Sequence, residues 1–208
     1  MIMETRLILA SGSPRRKEIL QSLGLSFEIL TAEVDEEVDA GLSPGEAVAV
    51  LAERKCLAVA KKLGFPENAL IIAADTLVFK DGKPFGKPGT AERASEMLRA
   101  LSGATHSVFT GLSLCCGNVC SSGFNRTDIT FRNMTDEEIS LYVSTGEPLD
   151  KAGAYGIQGR GSVFVSSISG DYHATVGLSV CSLFTMSKSV FGIDLSMMSF
   201  SGNKHTKK

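Results

Sequence analysis

The spacing of apolar residues along the chain predicts an alternation of short strands and amphipathic helices. Apolar runs of strand length occur at residues 7–10, 27–30, 69–79, 107–115, 123–131, 163–168 and 174–180. Apolar residues at helical spacing, bounded by typical start and stop residues, occur at residues 14–23, 44–63, 90–101 and 135–146. These segments are the predicted strands and helices.

Single residues mark where several of these elements begin and end. Ser43 is a typical N-cap for the second predicted helix, and Gly64 is a typical residue to end it. Thr135 has a glutamate three residues later, which is the spacing of a capping box. The pair Asp81-Gly82 is a strong signal for a two-residue hairpin.

The first turn of the first predicted helix carries three cations, Arg15, Arg16 and Lys17. This end of a helix is the positive pole of its dipole, so each cation there costs about 0.3–1 kcal/mol. A bound phosphate would reverse that cost, because anions bind at helix N-termini and arginine adds bidentate hydrogen bonds. The preceding Ser11 and Ser13 add hydroxyl groups. We favour an oligophosphate site here over the alternative that the cations extend into water.

Asp75 interrupts an apolar strand, where an ionised carboxylate is costly unless it is paired or binds a metal. Taken alone, it is as compatible with a structural residue bonded to backbone amides as with a functional site. Lys55 on the second helix and Lys87 beside a proline favour the site, although either lysine alone is typical of surface charge. Glu36 lies in an acidic run, which is usually a solvated face. Because Mg²⁺ bound to phosphates uses only one or two carboxylates, Glu36 and Asp75 are the predicted metal ligands.

Residues 147–159 form a glycine-rich segment that contains Lys151 and Gln158. A tight loop of this kind could contact a nucleotide base, and the Gln158 amide offers a donor and an acceptor suited to a pyrimidine edge. An ordinary glycine-rich connection is the alternative, and the composition does not exclude it.

Composition and charge narrow the classes of function. Hydrophobic residues make up 43% of the 208 residues and charged residues 21%, which can support a packed core. The formal net charge of −2 disfavours a nucleic-acid polymer as partner. The chain shows no basic leader and no apolar run of bilayer-spanning length, so we expect a cytoplasmic protein with no membrane partner.

The cysteines and histidines do not suggest a metal centre. Cys115, Cys116 and Cys120 stand together, but no histidine lies nearby at ligand spacing, and the chain has only 3 His. We expect reduced thiols on a hairpin at this place and no His-rich catalytic metal site.

Four segments together resemble the Maf family of nucleotide pyrophosphatases. They are residues 11–16, 73–76, 86–88 and 150–159, and the resemblance extends from about residue 7 to residue 178. It implies an α/β fold with a mixed sheet, flanking helices and two lobes around a deep cleft, of the Maf or ITPase-like type, often as a homodimer. It also implies hydrolysis of a nucleoside triphosphate to the monophosphate and pyrophosphate with a divalent metal, Mg²⁺ first, with Mn²⁺ or Co²⁺ as alternatives.

The resemblance also implies roles for single residues. Asp75 falls at the position of the catalytic base, and Glu36, Lys55 and Lys87 fall at other active-site positions. The predicted substrate-binding residues are Ser11, Ser13, Arg15, Arg16, Thr76, Lys151 and Gln158.

Three of these substrate-binding residues, Arg15, Thr76 and Gln158, match positions that set the base preference. Their identities resemble the branch that acts on dTTP and UTP, whereas the sister branch that prefers 7-methyl-GTP has different residues there. The expected role is sanitation of the nucleotide pool. A nucleotide-binding regulator of cell division without hydrolysis is the alternative, although a pure binder has no need of a base such as Asp75.

The last part of the chain departs from the family pattern. Ser179 stands where a proline is usual and Thr175 where an aliphatic residue is usual, and residues 182–201 have weak periodicity. We predict a single domain over residues 1–195 and a flexible tail over residues 196–208.

Overall fold

The computed structural model of the chain describes residues 5–201. The strands are β1 (Arg6–Leu9), β2 (Glu28–Ile29), β3 (Ala69–Lys80), β4 (Lys83–Pro84), β5 (Thr105–Cys116), β6 (Val119–Phe131) and β7 (Val165–Ser169). The helices are α1 (Pro14–Ser22), α2 (Pro44–Lys62), α3 (Ala91–Leu101), α4 (Asp136–Ser144), α5 (Tyr172–Val176), α6 (Val180–Phe191) and α7 (Leu195–Ser201). Short 3-10 helices occupy Glu147–Asp150, Ala152–Ala154 and Arg160–Phe164.

The described strands form one seven-stranded mixed sheet. Its order is β2-β1-β3-β5-β6-β7, and β4 pairs with β3 off this path. Strand β1 is parallel to both neighbours, so that Ile8 lies opposite Glu28 on β2 and Ile71 on β3. Strands β4 and β7 are antiparallel to β3 and β6. The predicted α/β class with a mixed sheet and flanking helices is confirmed, and the deep cleft between two lobes stays a prediction.

The chain divides into two compact units, each with a hydrophobic core of its own. Among the described residues, the first unit comprises residues 5–75, 111–124 and 177–201, and the second comprises residues 76–110 and 125–176. Apolar residues of β1, α2, β3 and β5 form a core in the first unit, with Cys56 and Ile71 in it. The core of the second unit includes buried residues of α3, α4 and β6, among them Phe131.

Helix α2 is fixed at its start and along its length. Ser43 and Glu46 form a capping box, in which the Glu46 amide donates to Ser43 Oγ (3.3 Å) and the Ser43 amide donates to Glu46 Oε2 (2.9 Å). Further along, a Cβ at Gly111 would lie 2.0 Å from the carbonyl oxygen of Val48. The backbone of α2 therefore packs directly on β5 at Val48 and Ala49.

Several local predictions are confirmed. Asp81 and Gly82 have positive φ angles of 50° and 74° and join β3 to β4, as expected for a two-residue hairpin. Thr135 and Glu138 form the predicted capping box at the start of α4.

The strand predicted at residues 174–180 is wrong, because this segment contains the end of α5, a short connection at residues 177–179 and the first residue of α6. The Ala174 amide donates to Asp171 Oδ1 (3.1 Å) near the start of α5, and Ser179 caps α6 by accepting from the Ser182 amide (3.1 Å). These short polar side chains favour helix starts and override the strand preference of Thr175 and Val176.

The end of the chain also differs from the prediction. A tail was expected from residue 196, but α7 continues to Ser201, and Ser199 Oγ donates a short hydrogen bond to the Leu23 carbonyl in the same unit. Residues 202–208 lie outside the described residues. The single domain over residues 1–195 stays a prediction.

The expectation of reduced thiols is wrong for Cys115 and Cys120, which form a disulfide. Their Cα atoms are 4.2 Å apart, because the β5–β6 hairpin places the two residues beside each other. Cys116 remains a thiol, and its Sγ donates to the carbonyl oxygen of Glu67 at 3.3 Å.

Candidate active site

Two carboxylates of the first unit meet at one ammonium group. Lys55, on α2, places its Nζ 2.6 Å from Asp75 Oδ1 and 2.8 Å from Glu36 Oε1. The Asp75 side chain, on β3, is 13% exposed, whereas that of Glu36 is 69% exposed. The structure therefore brings together three of the four residues predicted to be catalytic.

The environment of Lys55 keeps it charged. Burial by itself lowers the pKa of the Lys55 ammonium, but the hydrogen bond and negative charge of Asp75 and then those of Glu36 outweigh it. The net effect is a raised pKa, so Lys55 is a cation at neutral pH. It can orient a carboxylate and neutralise an anion, but it does not act as a base there.

A cavity of about 450 Å³ opens in the first unit, a size that suits a small-molecule ligand. It is lined by Ala10, Ser11, Gly12, Arg16, Thr31, Ala32, Glu33, Val34, Glu36 and Lys55. Of the residues predicted to hold phosphates, the described lining includes Ser11 and Arg16 but not Ser13 or Arg15.

Hydrogen bonds to Gly177 and Ser11 are among the contacts that hold Arg16 at the cavity. Its Nε donates to the Gly177 carbonyl (2.8 Å) and its Nη1 donates to Ser11 Oγ (2.9 Å). Burial lowers the pKa of Arg16 to about 10, while the charge of Asp75 raises it and that of Arg15 lowers it. Arg16 therefore still carries a positive charge at neutral pH, and its guanidinium is oriented before any ligand binds.

The start of α1 is the place where the sequence predicts an anion site. Ser13 is the N-cap, but its side chain makes no capping hydrogen bond within the described helix, and no acidic residue stands in the first turn. The Ser13 amide instead donates to Ser11 Oγ at 3.3 Å. Arg15 follows in the first turn, so this helix start stays cationic in the described part of the chain.

Arg54 contributes to the same region and was missed by the sequence interpretation. Its Nη1 donates to the carbonyl oxygens of Asp35 (3.0 Å) and Glu37, on either side of Glu36. An arginine on a helix surface is ordinary in sequence, and only its contacts with the segment before α2 set it apart.

The remaining predicted residues belong to the second unit. Thr76 Oγ1 lies 3.1 Å from Thr110 Oγ1, and Lys151 Nζ donates to the Glu147 carbonyl (2.8 Å) and to Asp150 Oδ1 (2.8 Å). The exposed Lys87 follows β4, and the exposed Gln158 lies in a turn before the third 3-10 helix. Contact of these four residues with a nucleotide stays a prediction.

The glycine-rich segment of the second unit is built around Glu147, a residue that the sequence interpretation also missed. Its carboxylate accepts from the Tyr142 hydroxyl (2.9 Å) and from the amides of Arg160 (3.0 Å) and Gly161 (3.2 Å). A Cβ at Gly159 would lie 2.5 Å from Glu147 Oε1, so only glycine allows the main chain to pass this close to the Glu147 carboxylate. Burial tends to raise the Glu147 pKa, but these hydrogen bonds and Lys151 outweigh it and lower the pKa.

The described residues contain no cluster of three or more His, Cys, Asp or Glu side chains that could hold a metal by itself. Glu36 and Asp75 nevertheless already converge on one cation, the Lys55 ammonium. Two carboxylates in this arrangement fit Mg²⁺ whose other ligands are phosphate oxygens and water. Across residues 5–201, no helix has the length and apolar character needed to cross a bilayer.

Comparison with known proteins gives consistent matches over most of the chain. Residues 6–190 match the family model described as Maf-like protein. A Bacillus cytotoxicus protein named dTTP/UTP pyrophosphatase is 47% identical over 178 residues, which cover 86% of this chain and 92% of that protein. A protein of the same name from Bacillus cereus (strain AH820) is 45% identical over 190 residues, covering 91% of this chain and 97% of that protein.

Among solved structures, the Ham1 protein of Staphylococcus aureus aligns at 16% identity with a TM-score of 0.41, over 64% of this chain and 73% of that chain. The family match extends over the candidate site and over residues of both units. On these matches, the chain belongs to the family of Maf-like proteins.

Proposed function

We propose that the protein hydrolyses a nucleoside triphosphate, with dTTP and UTP preferred, to the monophosphate and pyrophosphate. The proposal depends above all on Lys55, which joins Asp75 and Glu36 at a cavity that Arg16 also lines. The two Bacillus relatives named dTTP/UTP pyrophosphatase support both the reaction and the substrates.

The cationic wall of the cavity suits a triphosphate. Arg16 is already oriented by Ser11 and Gly177, so little side-chain freedom is lost when it binds a phosphate oxygen. The backbone amides at the start of α1 add donors aligned with the helix dipole. In this proposal Ser11, Ser13, Arg15 and Arg16 bind the phosphate chain.

Asp75 is the proposed general base. It lies on a buried strand, and Lys55 holds one of its carboxylate oxygens. A water oxygen forms the new bond to the α-phosphorus, its proton passes to Asp75, and the bond from that phosphorus to the pyrophosphate oxygen breaks. Lys55 and Arg16 stabilise the charge that spreads over the phosphate oxygens in the transition state.

Glu36 and Asp75 would hold a divalent cation, with Mg²⁺ proposed first and Mn²⁺ or Co²⁺ as alternatives. Such an ion, when bound, neutralises charge on the phosphate oxygens. Glu36 is the more exposed of the two carboxylates, so an ion and a phosphate both have access to it from solvent.

Four further residues are proposed to contact the nucleotide. We assign the pyrimidine edge to Gln158 and Thr76, and further phosphate contacts to Lys87 and Lys151. The alternative of a cell-division regulator without hydrolysis is not favoured, because the relatives are named as pyrophosphatases. A homodimer, a cytoplasmic location and a role in nucleotide-pool sanitation stay predictions.

The test is a panel of canonical and modified nucleoside triphosphates, each assayed for pyrophosphate release with Mg²⁺ and with a chelator. We expect release from dTTP and UTP that the chelator abolishes. The Asp75→Asn variant should lose about 10²–10⁴ in kcat because it removes the base. Asp136→Asn, at an exposed carboxylate paired with Arg99, is the matched control and should leave kcat unchanged. Absence of pyrophosphate with every substrate, or near-normal turnover in Asp75→Asn, would contradict the proposal.

A further inference from the structure

Glu36 reaches Lys55 from an irregular segment. Residues 30–39 have no helix or strand, and residues 31–34 and Glu36 form one wall of the cavity. The Glu36 side chain is 69% exposed, so packing alone does not hold it. Its 2.8 Å contact with Lys55 therefore depends on what fixes the backbone of this segment.

Arg54 fixes that backbone on both sides of Glu36. One nitrogen, Nη1, donates to the carbonyl oxygens of Asp35 and Glu37. The Glu37 amide in turn donates to Asp35 Oδ1 at 2.9 Å, which tightens the same turn. A guanidinium suits this position because it is always charged and carries several donors but no acceptor.

Helix α2 thus controls Glu36 through two consecutive residues. Arg54 holds the main chain around Glu36 and Lys55 holds its carboxylate. The described cavity lining includes Lys55 but not Arg54, whose Nη1 contacts the main chain on either side of Glu36. Groups that orient a metal-binding side chain in this way commonly change metal affinity 10- to 100-fold when they are removed.

We propose that Arg54 is a positioning residue that holds Glu36 where it shares a divalent cation with Asp75. This rests on the proposed function for the identity of the site, but its test measures metal binding directly. Removing Arg54 frees the backbone at residues 35–37, so Glu36 spends less time near Asp75 and the cation is bound more weakly.

The experiment is a Mn²⁺ titration of the full chain by electron paramagnetic resonance, with a non-hydrolysable α,β-imido analogue of dUTP present. Arg54→Ala should weaken Mn²⁺ binding about 10-fold. Arg54→Lys should retain much of the wild-type Mn²⁺ affinity, because an ammonium can also donate to both carbonyl oxygens. Arg99→Ala, which removes an exposed arginine with an ion pair to Asp136, is the matched control and should bind Mn²⁺ like the wild type.

A double-mutant cycle separates positioning from a general loss of structure. In a Glu36→Gln background, Arg54→Ala should weaken Mn²⁺ binding by less than about twofold, because the group through which it acts is gone. In steady-state assays, Arg54→Ala should raise the Mg²⁺ concentration for half-maximal activity while kcat at saturating Mg²⁺ stays close to that of the wild type.

Equal weakening of Mn²⁺ binding in both backgrounds would overturn the proposal, as would unchanged binding in Arg54→Ala or a wild-type protein that binds no Mn²⁺. Should Arg54→Ala fail to fold, Arg54→Gln takes its place in the same cycle and decides the question. A wild-type protein that binds Mn²⁺ with the analogue but releases no pyrophosphate from any triphosphate would refute the proposed function and leave the role of Arg54 standing.

Discussion

Acidification should destabilise the second unit through His106, a histidine of β5 that is only 2% exposed. Its Nε2 lies 2.8 Å from the Tyr155 hydroxyl, and its buried Nδ1 has no hydrogen-bond partner among the described residues. The rings of Phe131 and Tyr155 pack edge-on against it, with centroids 4.9 and 5.4 Å away. Burial, and then the charge of Lys80, lower the His106 pKa from 6.5 to about 4 against the opposing charge of Asp128.

The size of the effect follows from the difference between the two pKa values. The unfolded chain binds the proton with a pKa near 6.5 and the folded chain with a pKa of about 4. The stability conferred by the neutral imidazole is therefore complete above pH 6.5 and is lost as the pH falls toward 4. At 1.36 kcal/mol per pKa unit, the loss relative to pH 7 reaches about 2 kcal/mol at pH 5 and about 3 kcal/mol at pH 4.

Urea unfolding followed by circular dichroism at pH 7 and pH 5 measures this loss. His106→Gln keeps a neutral hydrogen-bonding side chain that does not titrate, so its free energy of unfolding should fall by about 2 kcal/mol less than that of the wild type. His173→Gln is the matched control, because His173 is exposed and its replacement should leave the wild-type pH dependence intact. Equal losses in wild type and His106→Gln would refute the reasoning.

Two further predictions concern stability. Gly111→Ala should lower the free energy of unfolding by about 3 kcal/mol, because the new methyl group would lie 2.0 Å from the Val48 carbonyl oxygen. The control is Gly86→Ala, because no atom lies within 4 Å of a Cβ added there, and its melting temperature should equal that of the wild type. Equal melting temperatures for Gly111→Ala and Gly86→Ala would contradict the close packing of α2 on β5. Glu147→Gln should lower the free energy of unfolding by about 2 kcal/mol, because the charged acceptor of the Arg160 and Gly161 amides is lost. Hydrogen exchange at these two amides should become faster for the same reason. Unchanged exchange at those amides by mass spectrometry, relative to the exposed control Glu137→Gln, would show that Glu147 does not organise the segment.

Local chemistry made much of the fold predictable. The Ser43 cap, the Thr135 capping box and the Asp81-Gly82 turn each depend on neighbours within three residues, and the structure confirms all three. The strand prediction at residues 174–180 is wrong for a related reason. Its strand preference was evident, but the capping roles of Asp171 and Ser179 depend on a competition that propensity alone does not resolve.

The candidate site was predictable where a residue breaks a local rule. Asp75 in an apolar strand and Arg16 in a first helical turn are both unusual. The structure places Arg16 in the cavity lining and Asp75 in contact with Lys55, which also lines the cavity. Arg54 and Glu147 break no such rule, because charged residues are ordinary in their sequence contexts. Their roles come from backbone groups 13 to 19 residues away in the chain, which no local pattern encodes.

The hydrogen bond from Arg16 to the Gly177 carbonyl has a consequence for biosynthesis. These residues are 161 positions apart, so a ribosome adding about 5–20 residues per second needs roughly 8–32 seconds to pass from one to the other. Until then the guanidinium has no access to its native acceptor, and this hydrogen bond at the cavity is missing from the nascent chain. A chain that stops before residue 177 therefore contains the N-terminal cationic segment but lacks the acceptor of Arg16 Nε.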